Sequence, residues 1–78
     1  MKDGDVMLAE RMTEVDTRLE GNPFHDGWYS VNDVERLCYL SHRSTRYWLE
    51  KGYRHGIFER RVANQGHGIY WWYEYKVR

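Results

Sequence analysis

Apolar residues at Leu8, Met12, Val15 and Leu19 recur at intervals of four, three and four, the spacing of one helical face. This pattern predicts a helix over residues 6–20, with Glu10, Glu14 and Asp16 on its other faces. Gly21, Asn22 and Pro23 end it, because glycine suits the helix cap and proline cannot continue the ladder. Residues 24–27 read as a loop, and Trp28 and Tyr29 suffice for a strand of two or three residues. Val31, Val34, Leu37 and Cys38 then share a face, predicting a helix over residues 31–38 capped by Ser30 or Asn32. Ser41 is a cap for a third helix over residues 42–54. Thr45, Trp48 and Leu49 form its inner face, with Gly52 and Tyr53 beyond, and His42, Arg43, Arg46, Tyr47 and Glu50 form its outer one.

After Gly56 the period changes to two. Residues 57–62 and 69–77 read as strands, joined by a polar turn over 63–68 to make a hairpin spanning residues 57–77. In the second strand Ile69, Trp71, Tyr73, Tyr75 and Val77 fall on one side, and Tyr70, Trp72, Glu74 and Lys76 on the other. The expected fold is mainly α with a small β-hairpin, in one domain covering residues 1–78.

At 78 residues the chain buries only roughly 60% of its unfolded surface, too little for two cores. Four Trp, seven Tyr and two Phe supply the burial that a disordered chain lacks, with some rings left for a partner. Cys38 is the only cysteine, so no internal disulfide forms. No apolar run is long enough to span a membrane, and residues 1–5 do not open a secretory leader. An intracellular, cytoplasmic setting is expected. Net charge is zero, but its distribution is not even. Residues 1–36 hold nine acids and four bases, whereas residues 37–78 hold eight bases and three acids. Such asymmetry suggests an oriented field across the domain; the alternative is that the two halves simply attract each other.

Two short helices joined by a tight turn, followed by a hairpin, form a helix-turn-helix with a wing. The stretch from Tyr29 to Tyr75 resembles the winged helix-turn-helix family of transcriptional regulators. The resemblance is carried by Leu40-Ser41-His42-Arg43-Ser44-Thr45-Arg46-Tyr47-Trp48-Leu49 and by Gly56-Ile57-Phe58-Glu59-Arg60-Arg61. It departs from the family three residues after Leu49, where a leucine is usual and Gly52 stands, so that Tyr53 fills the space or the helix bends. The resemblance implies three helices, a wing of two or three antiparallel strands, and a third helix that enters the major groove of duplex DNA.

On that reading Arg43 and Arg46 reach base edges, since a guanidinium can bond O6 and N7 of guanine together. His42, Ser44 and Tyr47 lie close enough to touch bases or phosphates. Lys51, Arg54 and Arg61 neutralise phosphates, Arg61 unless it pairs with Glu74 across the hairpin. Asn64, Gln65 and His67 at the wing tip meet the neighbouring groove or backbone, although the tip lacks a lysine or arginine. Such regulators commonly dimerise; the stripe of Leu8, Met12, Val15 and Leu19 packs on the domain core or pairs with its counterpart in a second subunit, and either these four residues or the leftover aromatics are the expected homodimer contacts.

No catalytic or metal pattern is visible. The four histidines have no ligand spacing with Cys38, no serine sits in a nucleophile motif, and no helix follows Gly66-His67-Gly68 to make a phosphate loop. The expectation is a sequence-specific binder of double-stranded DNA, a small archaeal or phage-like regulator that is not an enzyme, with no cofactor and no small-molecule ligand. The alternative is a winged-helix module that binds protein instead, because fold alone does not fix function.

Overall fold

The computed structural model describes residues 3–66 and 68–78. The elements run α1 (Gly4–Arg18), β1 (Tyr29–Ser30), α2 (Val31–Cys38), α3 (His42–Arg54), β2 (Phe58–Asn64) and β3 (Trp71–Val77). The three strands form one antiparallel sheet in the order β1-β3-β2. The described residues thus make three helices and a three-stranded sheet.

Helices α2 and α3 have the predicted bounds, and their starts explain why. The Ser30 hydroxyl accepts from the Asp33 amide (3.2 Å) while the Asp33 carboxylate accepts from the Ser30 amide (3.0 Å), a closed capping box. Ser41 caps α3 by accepting from the Ser44 amide (3.2 Å). Between them Tyr39 adopts a left-handed conformation (φ 54°), which turns the chain sharply enough for α3 to follow within three residues.

Several boundaries in α1 and the strands differ from expectation. Helix α1 starts at Gly4 rather than residue 6, because the Trp48 ring lies against the Gly4 backbone and draws the first turn onto α3. Helix α1 also stops at Arg18, with Leu19 as its cap. The hairpin strands occupy 58–64 and 71–77, so Ile69 lies in the connection and is 87% exposed.

The core comprises Leu8, Met12, Tyr29, Val34, Leu49, Phe58 and Tyr75. Of the two readings of the α1 stripe, packing on the domain core is the one observed, and its assignment as the dimer contact is corrected. Leu8 (2% exposed) and Met12 (0%) are buried within their own domain, Val15 packs against the same core, and Leu19 is half-buried at the helix end. Burial against α3 and the sheet already satisfies that face.

The Gly52 position is filled by neither Tyr53 nor a bend. The Phe58 ring packs onto the Gly52 backbone, where a Cβ would overlap it, and α3 continues for two more residues. Asp5 is fully buried beside the same glycine. Its carboxylate accepts from the Val6 amide (2.8 Å) and lies 3.2 Å from His55 Nδ1, clasping the start of α1 to the end of α3. A second polar clasp holds the loop after α1. The Tyr29 hydroxyl donates to Asp16 Oδ1 (2.6 Å), and His25 Nε2 lies 2.7 Å from the same oxygen. Burial and the adjacent Asp16 carboxylate push the Tyr29 hydroxyl far above its ordinary titration range, so it stays a donor.

Candidate nucleic-acid interface

Helix α3 shows its outer face because Thr45, Leu49 and Gly52 commit the opposite one to the core. Arg43, Arg46 and Tyr47 are exposed on that outer face, Tyr47 to 58%. Neither arginine makes an ion pair among the described residues, and acidic α1 covers neither. Both keep free forks that can form two parallel hydrogen bonds to a planar acceptor.

The other predicted cations are occupied. His42 Nδ1 lies 3.1 Å from Glu35 Oε2. Arg54 Nη2 lies 3.2 Å from Glu50 Oε1. Lys51 Nζ sits 5.1 Å from the Trp48 ring centroid, on the side of α3 that meets α1. Ser44 is engaged in the cap, its hydroxyl accepting from that of Ser41 (3.0 Å).

The assignment of Arg61 to phosphate is corrected. Strand alternation puts Arg61 opposite Glu74 on the outer face of the sheet, away from α3. Its guanidinium lies 2.8 Å from Glu74 Oε1 and 3.3 Å from Asp26 Oδ2, and rests 4.4 Å over the Trp28 ring. The Trp28 amide and then Arg61 hold the Asp26 carboxyl below its ordinary range, which keeps that cluster ionised.

Arg60 points the other way, as its pairing with Tyr75 requires. Its guanidinium lies between the Tyr53 and Tyr73 rings, 4.0 and 4.1 Å from their centroids, and donates to Glu50 Oε2 (2.9 Å). This contact joins the hairpin to α3. Alternation from Phe58 makes one arginine of the pair face inward; the tyrosines that receive it are 7 residues before and 13 after, beyond the reach of local pattern.

His42, Arg43, Arg46, Tyr47 and Glu50 of α3 line a groove of about 1220 Å³ together with residues 71–75 of β3 and with Ser30 to Asp33. Ser44, Lys51 and Arg54 do not line it. Asn64 and Gln65 are exposed at the end of β2 and in the turn, while His67 lies outside the described residues. The aromatic wall of the groove escapes the sequence because alternation assigns Trp71 and Tyr73 to the core, whereas the hairpin outruns the helices. Trp71 is 59% exposed as a result. No group of three or more metal-ligating side chains occurs among the described residues. No helix of the described chain is long and apolar enough to cross a membrane. No family model, curated protein or solved structure matches this chain.

Proposed function

We propose that this chain is a winged helix-turn-helix domain that binds double-stranded DNA sequence-specifically, with α3 in the major groove and β2–β3 as the wing. It acts inside the cell as a small transcriptional regulator and is not an enzyme. One observation carries the reading: Arg43 and Arg46 stand exposed on α3 and, among the described residues, without ion pairs, while His42, Arg54, Arg60 and Arg61 are each held by carboxylates. Two free guanidinium groups one turn apart on an exposed helix have the donor geometry to bond guanine O6 and N7 together. The order of elements supports the same reading, since the tight turn at Tyr39 brings α3 against α2 and the hairpin follows directly.

A single short helix reads few bases, so a homodimer on two half-sites is part of the proposal. The dimer surface lies away from the Leu8–Met12 stripe, which the core uses. Selection from random duplexes at two salt concentrations tests both parts. Recovery of an inverted repeat, bound more weakly at higher salt, is the expected result. Arg43→Ala or Arg46→Ala relaxes preference at one base position by about 1–3 kcal/mol. Unchanged operator binding by the double variant removes α3 as the reading helix.

A further inference from the structure

The Arg78 amide donates to the Ile57 carbonyl (3.1 Å), and this bond sets the parity of the β2–β3 ladder. In an antiparallel pair a residue turns both backbone groups to the same neighbour, and the next residue turns them to the other side. Residues 72, 74 and 76 therefore face β2. Residues 71, 73 and 75 face the other edge, where Tyr75 meets Tyr29 of β1. But β1 ends at Ser30, opposite Glu74, and the chain turns away into α2. The N–H and C=O groups of Trp71 and Tyr73 consequently point from an edge that no described strand covers. Such an edge is a template for another extended chain unless something blunts it. Here no proline, lysine or bulge does so between Trp71 and Tyr73.

This open edge borders the groove that Arg43 and Arg46 line. Glu50, Glu74 and Asp33 also border it: Glu50 is paired with Arg54 and Arg60 and Glu74 with Arg61, while Asp33 accepts from the neutral Ser30 amide and keeps its charge. Among the described groove residues two guanidinium groups without an ion pair, Arg43 and Arg46, thus stand against one such carboxylate, Asp33. We propose that the uncovered edge of β3 takes a short extended peptide segment carrying carboxylates at alternate positions, which adds as a further strand and sets those carboxylates against Arg43 and Arg46. Alternation supplies the register. Residues opposite Trp71 and Tyr73 point to the α3 side of the sheet, and the residue between them points to the Trp72 side. A second copy of this chain fits less well, because it would bring its own two arginines towards the first pair. The segment and duplex DNA use the same two guanidinium groups, so the acidic segment excludes DNA; this exclusion, unlike the docking itself, rests on the DNA reading above.

The test uses the intact chain, a capped peptide in which glutamate alternates with threonine, and its lysine counterpart. Amide exchange read residue by residue reports on the edge directly. The glutamate peptide slows exchange at Trp71 and Tyr73 and the lysine peptide does not. Replacing Arg43 and Arg46 together by alanine weakens the glutamate peptide by about tenfold or more. Trp71→Pro removes an N–H that faces the open edge but no bond to β2, and it loses peptide binding; Trp71→Ala keeps the peptide-induced protection at Tyr73. Binding of the glutamate peptide that leaves exchange at Tyr73 unchanged overturns the strand addition. So does protection of both amides in the free chain that rises with its concentration, which assigns the edge to a second copy. A competition arm with a selected duplex is read separately: peptide binding without any duplex binding removes the DNA reading and leaves the docking in place.

Discussion

The Phe58 ring is packed against the backbone of Gly52, with Cδ2 and Cε2 in the space a side chain would otherwise take. Here the absence of a Cβ joins the last turn of α3 to the first residue of β2. Gly52→Ala gains about 1 kcal/mol of helix propensity, but it forces the ring off its site at a cost of about 1–3 kcal/mol. The expected outcome is a lower urea midpoint with an unchanged m-value. An equal or higher midpoint would show that the ring can move aside freely.

Asp5 is fully buried and holds the Val6 amide and His55. Asp5→Ala leaves that half-buried amide without its side-chain acceptor and should cost about 1–3 kcal/mol. His55 is half-exposed and can turn to water, so His55→Ala should cost less. Chemical denaturation of the two variants reads the order, and a larger loss for His55→Ala contradicts it.

Arg61 and Arg43 make opposite predictions. Arg61→Ala breaks the Glu74, Asp26 and Trp28 contacts and lowers the melting temperature, yet it leaves the salt dependence of duplex binding unchanged. Arg43→Ala leaves the melting temperature nearly unchanged and impairs duplex binding. A salt slope reduced by about 1 in Arg61→Ala means that the arginine leaves its cluster to meet a phosphate.

The Asp26 carboxyl titrates below its usual 3.8, chiefly through the Trp28 amide and then through Arg61. A lowered folded value means that its stabilising effect is fully present above the unfolded pKa and fades as pH falls through the folded one. Asp26→Asn should therefore lower stability at neutral pH and lose that difference below the folded pKa. Equal deficits in melting temperature at pH 7 and pH 2 would falsify the assignment.

Helices α2 and α3 were legible to the residue because their signals are local: Ser30 and Ser41 cap within three residues, and the apolar face repeats within each helix. The hairpin was legible from its change of period. What escaped depends on contacts distant in sequence. Asp5 meets His55 across fifty positions, and the start of α1 follows from Trp48 on Gly4. The Leu8–Met12 stripe reads the same whether it faces its own core or a partner, and only the packing of α1 on α3 decides. On the outer face of α3, residue type identified Arg43 and Arg46, but Lys51 and Arg54 share that type and are engaged elsewhere by neighbours that spacing does not reveal.

Arg60 sits between two tyrosine rings and reaches Glu50, so hairpin and helix meet at a stacked, charged hinge pin. Both walls of the groove are set at a fixed tilt before anything arrives. A visitor of matching shape meets a mould already cast, and little ordering entropy remains to be lost on contact. Loosening that pin would leave every contacting side chain in place and still blunt recognition, because the angle between the two walls would wander.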